Sequence, residues 1–139
     1  MRASVHIRTL PDSSAALGWT HGRSVTIDRT CEGGGQHIGF SAAELLCLAV
    51  GACYTHELFL EADCRAIQLC SVHIDVAVDD ADPDARHMTA SLRLEADADE
   101  AAISELVEHA DRVAMVPNLL RLGTSVRLTD AHVIARRAS

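Results

Sequence analysis

The chain has 139 residues and a mass of 14.9 kDa, a length typical of one domain with its own hydrophobic core. Twelve basic residues stand against 20 acidic ones, and the resulting charge of −8 disfavours binding to nucleic acid or to an anionic membrane surface. All twelve basic residues are arginine, which excludes a lysine Schiff base and a lysine-containing phosphate-binding loop.

Two or three short strands are predicted at the start of the chain. Apolar and polar residues alternate around Val5 and Ile7, and again around Val25 and Ile27, with a turn predicted at 20–23. The following segment, 31–39, is rich in glycine, which indicates a loop.

A long helix is predicted to begin at Ser41, because Ser41 and Glu44 have the spacing of a capping box. Its apolar periodicity continues to about Asp63, with Gly51 as a position where the helix can kink. The run Leu45–Tyr54 is apolar nearly all round, which predicts burial on several sides. That run is about half of the roughly 20 residues needed to cross a bilayer, so a core helix is expected.

The next part of the chain has the two-residue period of β-strands. The alternation over 68–78 and over 88–95 predicts a long antiparallel hairpin, with an acidic turn at 79–85. The three aspartates of this turn imitate the start of a calcium loop, but the rest of that motif is missing, so a solvated turn is expected.

A second helix and a last strand complete the order of elements. Asp97 and Glu100 form a second capping signal, and an apolar stripe continues to about Met115 before Pro117, which is predicted to end the helix. Alternation over 124–129 predicts a last strand, to which the apolar pair Val133 and Ile134 could also belong. Residues 1–139 are therefore predicted to form a single α+β domain with a mainly antiparallel sheet.

The five cysteines are an odd number, and no secretory leader precedes the first strand, which favours a reduced, cytoplasmic protein. Cys47 and Cys70 are predicted to be small buried hydrophobes. Cys53 and His56 lie three apart on one helical face, but nothing completes a zinc site. We expect neither a metal nor a cofactor.

The segment Ile38–Phe59, with the sequence IGFSAAELLCLAVGACYTHELF, resembles the signature of the OsmC/Ohr superfamily, which includes osmotically inducible protein C and organic hydroperoxide resistance protein. The glycines at 33–35, the Glu44-Leu45-Leu46 run and the Gly51-Ala52-Cys53 run match that signature in order and spacing. The resemblance covers nearly the whole chain. It implies the OsmC-like fold, an antiparallel sheet packed on a long central helix, and an intertwined homodimer.

The same resemblance implies a catalytic site. Cys53 takes the position of the peroxidatic cysteine, whose thiolate attacks a hydroperoxide and becomes a sulfenic acid. Arg23 lies in a turn similar to the one that carries the activating arginine of the family, with Arg29 as a weaker substitute. Glu44 takes the place of the arginine-pairing glutamate of the OsmC-like branch, whereas the position used in Ohr proper is Ala43.

The chain departs from the family at the position of the resolving cysteine, which is occupied by Ala114. Cys31, in the glycine-rich loop, is the best substitute for it. Otherwise an external thiol must reduce the sulfenic acid directly. The proline that precedes the glutamate in the family is also replaced here, by Ala42.

Three functional hypotheses follow. The first is a one-cysteine thiol peroxidase that acts on organic hydroperoxides with an external thiol as reductant. The second is a non-catalytic member that binds an apolar small molecule or senses redox state. The third is a different thiol-dependent reaction at Cys53, with His56 as the base.

Overall fold

The computed structural model describes residues 2–79 and 87–136. The chain begins with an antiparallel sheet of three short strands in the order β1, β2, β3. These strands are β1 (His6–Thr9), β2 (Ala16–Thr20) and β3 (Arg23–Ile27). The alternating segments around Ile7 and Val25 are therefore strands, as predicted, and a third strand pairs with both.

The central helix α1 spans Ala42–Cys64 and follows an N-cap at Ser41. The Ser41 amide donates to Glu44 Oε1 at 2.9 Å, and the Glu44 amide donates to Ser41 Oγ at 3.3 Å. The predicted capping box is thus confirmed. By length and composition alone α1 could cross a membrane, a criterion that the core helix of a soluble protein also meets.

A long antiparallel hairpin follows, formed by β4 (Gln68–Asp79) and β5 (His87–Asp97). Residues 80–86, where most of the predicted acidic turn falls, lie outside the described residues. The ladder shifts register between Leu69 and Ser71. Cys70 lies in this bulge and is exposed, so its predicted burial is wrong. A bulge breaks the two-residue alternation on which that prediction depended.

The second helix differs from its prediction at both ends. Helix α2 spans Glu100–Val113, and its N-cap is Asp99 rather than Asp97, because Asp99 Oδ1 accepts from the Ala102 amide at 2.8 Å. After Ala114 the chain enters a third helix, α3 (Met115–Leu122). Pro117 therefore does not end a helix. It stands in the first turn of α3, where the missing N–H has no partner in the helix anyway.

The predicted last strand is absent from the described chain. Residues 124–136 have no regular secondary structure, and Val126 and Leu128 are 91% and 89% exposed. A strand needs a neighbour to accept its ladder of hydrogen bonds, and no strand of the same chain pairs with this described segment.

The core lies between α1, α2 and the hairpin. Its fully buried members are Leu58, Ala62, Leu106 and Ala110. The first half of α1 is different, because Leu46 and Leu48 are 38% and 51% exposed. The predicted burial of this half on several sides is wrong for the single chain. The fold is nevertheless α+β, with antiparallel sheets and one long helix, as predicted.

Candidate functional site

The sulfur of Cys53 lies on α1, half-buried, where α1 meets the start of α3. The Val116 amide nitrogen lies 3.4 Å from Cys53 Sγ and donates a hydrogen bond to it. Val116 is the second residue of α3, so this amide is one of those that a helix leaves without a partner in its first turn. Such amides stabilise negative charge placed beside them.

The junction between α2 and α3 places this amide. Ala114 has an extended ψ of 118°, which interrupts the helical path between Val113 and Met115. Ala114 is fully buried, and its side chain is a methyl group that carries no sulfur.

Three polar residues from three helices meet beside this junction. Tyr54, the neighbour of Cys53 on α1, donates from its hydroxyl to Asp111 Oδ1 on α2 at 2.8 Å. Arg121 Nη2 on α3 donates to the same Oδ1 at 2.7 Å and to the Tyr54 hydroxyl at 3.0 Å. We call Tyr54, Asp111 and Arg121 the junction cluster.

Hydrogen bonds within the junction cluster stabilise the charged forms of Asp111 and Arg121. The hydrogen bond from Arg121, and then the one from Tyr54, lower the pKa of Asp111. Burial, followed by the hydrogen bond to Asp111, raises the pKa of Tyr54. The hydrogen bond to Asp111 raises the pKa of Arg121. The cluster therefore holds one carboxylate, one guanidinium and a neutral phenol at neutral pH.

Sequence analysis missed the junction cluster. Tyr54 lies 57 positions from Asp111 and 67 from Arg121. Helical periodicity relates residues only three or four apart, and the break at Ala114 removes any periodic relation between the two charged members.

The structure of one chain does not place Arg23 at the sulfur. Arg23 is exposed at the start of β3 and lines a cavity of about 400 Å³ with Trp19 and Leu45. Leu45 precedes Cys53 by more than two turns of α1, about 12 Å at a rise of roughly 1.5 Å per residue. Arg29, the weaker substitute, points to the glycine-rich loop, where its Nη2 donates to the Gly34 carbonyl at 3.4 Å.

Glu44 has a structural role in the capping box, and the hydrogen bonds from the Ser41 amide and then from its hydroxyl lower the pKa of Glu44. Glu44 also lines an open groove of about 770 Å³ between α1 and β4. The wall of this groove includes Cys47, which is half-buried rather than buried as predicted.

The glycine-rich loop wraps around a buried carboxylate. Asp28 is 3% exposed, and its two oxygens accept from the amides of Arg29, Gln36 and Ile38 at 2.7, 3.0 and 3.2 Å. A Cβ at Gly35 would collide with the Arg29 carbonyl, so this position requires glycine.

Cys31, the predicted substitute for the resolving cysteine, is exposed. His56 is exposed, and in the described part of the chain no hydrogen bond links it to Cys53. No group of three or more potential metal ligands occurs among the described residues.

A long helix packed on an antiparallel hairpin, with a half-buried cysteine beside the first turn of a short helix, defines an α+β protein with a candidate thiol site. The chain belongs to the OsmC-like protein family, whose sequence model matches residues 33–129. No curated protein matches the chain.

Solved structures share its fold at low sequence identity. An OsmC-like protein from Mycoplasma pneumoniae superimposes with a TM-score of 0.74 at 16% identity, over 87% of this chain and 88% of that chain. The organic hydroperoxide resistance protein OsmC from Legionella pneumophila gives 0.62 at 17%, over 87% and 90%. A Vibrio cholerae protein described as an organic hydroperoxide resistance protein, with captopril in one of its active sites, gives 0.61 at 14%, over 87% and 86%.

Proposed function

We propose that this protein is a thiol-dependent peroxidase that reduces organic hydroperoxides, with Cys53 as the nucleophile. The observation that carries the proposal is the hydrogen bond from the Val116 amide to Cys53 Sγ. A backbone N–H aimed at sulfur stabilises the thiolate, which is the reactive form of cysteine. The similarity to proteins described as hydroperoxide resistance proteins supports the same reaction.

In the proposed reaction the Cys53 thiolate attacks one oxygen of the O–O bond. A sulfur–oxygen bond forms, the O–O bond breaks, and the leaving alkoxide takes a proton to become an alcohol. Cysteine is oxidised to sulfenic acid and the hydroperoxide is reduced. A small thiol then condenses with the sulfenic acid, which forms a mixed disulfide with Cys53 and releases water. A second small thiol attacks this mixed disulfide, which restores the Cys53 thiol and releases the disulfide of the two small thiols.

We infer a one-cysteine cycle, because Ala114 supplies no resolving sulfur. Cys31 is exposed in the glycine-rich loop and is the alternative resolving residue. All five cysteines are free thiols, as expected of a protein in a reducing compartment, and we therefore place the protein in the cytoplasm.

We also propose that the working form is a homodimer. The chain exposes 11101 Å². A folded monomer of 14.9 kDa exposes about 7000 Å². The excess of about 4000 Å² is more than a stable homodimer needs to bury. The exposed apolar residues of α1 and of 124–136 supply the surface for such a contact.

In such a dimer, Arg23 of one chain would lie near the Cys53 sulfur of the other chain. In an antiparallel pair of α1 helices that cross at the exposed Ala49, Leu45 of one helix lies opposite Cys53 of the other. The arginine that lies near Leu45 in one chain then approaches the sulfur in the second chain. Glu44 uses Oε1 in its capping box, so its Oε2 is the oxygen that would pair with this guanidinium.

The proposal is tested by intact mass after one equivalent of cumene hydroperoxide, with Cys53→Ser as the matched control. We expect wild-type protein to gain one oxygen and to lose it again when thiol is added, whereas the serine variant does not change. A loss of two hydrogens instead would identify Cys31 or another cysteine as the resolving residue. If neither protein changes, the peroxidase proposal is wrong.

The placement of Arg23 is tested by co-expression of Arg23→Ala chains with Cys53→Ser chains. We expect neither variant alone to reduce cumene hydroperoxide. If Arg23 acts across the dimer, each mixed dimer contains one complete site, and co-expression restores hydroperoxide reduction. If Arg23 acts within its own chain, no mixed dimer contains a complete site and turnover stays absent.

The second candidate function is the binding of an apolar small molecule by a member without catalytic activity. The groove of about 770 Å³ between α1 and β4 favours it, since its size suits a small ligand. An unchanged mass in the hydroperoxide experiment, together with saturable binding of a fluorescent fatty acid, would support this function over the first.

A further inference from the structure

The junction cluster holds the short helix α3 in place. Arg121 donates not only to Asp111 and Tyr54 but also, through Nη1, to the Asp111 carbonyl at 3.1 Å and to Asn118 Oδ1 at 2.9 Å. Asn118 Nδ2 in turn donates to the Arg112 carbonyl at 2.8 Å. These bonds tie α3 to the last turn of α2 and to the residue beside Cys53.

Apolar packing holds α3 weakly by comparison. The helix has 8 residues, too few to be stable alone in water. Pro117 is its one buried residue, while Met115, Leu119, Leu120 and Leu122 are all more than 40% exposed. The orientation of α3 against α1 in this chain therefore depends on the polar contacts of its Arg121.

We propose that Tyr54, Asp111 and Arg121 are positioning residues that hold the Val116 amide on the sulfur of Cys53 and so set the reactivity of that thiol. The cluster acts through α3: Arg121 anchors the helix at one end, and Val116 presents its N–H at the other. This inference rests on the proposed thiol chemistry of Cys53.

The test measures the rate of Cys53 alkylation by iodoacetamide, resolved by peptide mass spectrometry, at several pH values between about 5 and 9.5. Wild-type protein is compared with Tyr54→Phe and Arg121→Gln. The matched control is Arg112→Gln, which removes a neighbouring arginine whose side chain makes no hydrogen bond in the described part of the chain.

We expect Tyr54→Phe and Arg121→Gln to slow alkylation at about pH 6 by roughly 3- to 10-fold, the range that corresponds to the loss of one hydrogen bond. At about pH 9.5, where thiols are ionised in any case, the rates should match wild type. Arg112→Gln should follow wild type throughout. A general loosening of the fold would instead change the rate at every pH.

The outcomes separate the two proposals. If wild-type Cys53 is unreactive at about pH 6, the thiolate proposal itself fails. If wild type is reactive there and both variants share its pH profile, only the positioning role is overturned. Tyr54→Phe removes one hydroxyl and keeps the ring, so it remains informative if Arg121→Gln does not fold.

Discussion

The Val116 amide nitrogen lies 3.4 Å from the sulfur of Cys53, although the two residues are 63 positions apart in the chain. Helices α1 and α3 therefore meet at the one atom that the proposed chemistry needs, and Ala114, two residues before Val116, closes α2 at the same junction. Position 114 lies two residues from the amide that contacts Cys53, and we therefore test it as the place of a second thiol.

Ala114→Cys is expected to convert the one-cysteine cycle into a two-cysteine cycle. After one equivalent of cumene hydroperoxide, the variant should lose two hydrogens as Cys53 forms a disulfide with the new thiol. Ala114→Ser, which adds no sulfur, should instead gain one oxygen, like wild type. A stable sulfenic acid in the cysteine variant would show that position 114 does not reach Cys53.

Asp28 is expected to make stability depend on pH in the acid range. Its burial opposes ionisation, but three backbone amides more than offset this and lower the pKa of Asp28 below its ordinary value of 3.8. The ionised carboxylate therefore stabilises the fold above about pH 4, and this contribution is lost as the pH falls through the folded-state pKa.

Asp28→Asn should accordingly have a lower melting temperature than wild type at pH 7, measured by circular dichroism. The difference should shrink as the pH falls below about 4. An equal melting temperature at pH 7 would contradict a structural role for this carboxylate.

Substitution of two glycines by alanine should change the stability of the fold in opposite directions. A Cβ at Gly51 would lie 3.5 Å from Val76 Cγ2, an ordinary contact, so Gly51→Ala should stabilise helix α1 by about 0.5–1 kcal/mol. A Cβ at Gly39 would collide with the Thr26 carbonyl, which accepts the Phe40 amide at 3.0 Å. Gly39→Ala should therefore destabilise the fold by about 1–3 kcal/mol. Urea unfolding measures the free energy of unfolding of both variants. If both substitutions raise it, or both lower it, this prediction is wrong.

The core between α1 and α2 should carry much of the stability. Leu106 is fully buried, so Leu106→Ala should lower the free energy of unfolding by about 3–5 kcal/mol. Leu122→Ala is the control, because Leu122 is 84% exposed and its truncation should cost less than about 0.5 kcal/mol. A comparable loss in the control would indicate that Leu122 is covered in solution by a second chain.

Local signals in the sequence determined several features. The capping box at Ser41, the hairpin of β4 and β5 and the α+β order depend on residues close together in the chain, whose periodicity and hydrogen-bonding groups can be recognised without a structure. The motif around Cys53 was sufficient to indicate the family. The predictions that Pro117 ends a helix and that Cys70 is buried are wrong, because the start of α3 and the β-bulge depend on neighbours distant in sequence.

The surroundings of the Cys53 sulfur could not be predicted from the sequence, because they depend on how distant segments pack together. The Val116 amide, the junction cluster and the separation of Arg23 from Cys53 within one chain follow from the packing of α1, α2 and α3. Burial likewise cannot be inferred from apolar character alone, since Leu48 and Leu128 are as apolar as Leu106 yet remain exposed in the single chain. Periodicity shows which face of an element is apolar, whereas packing decides what covers that face.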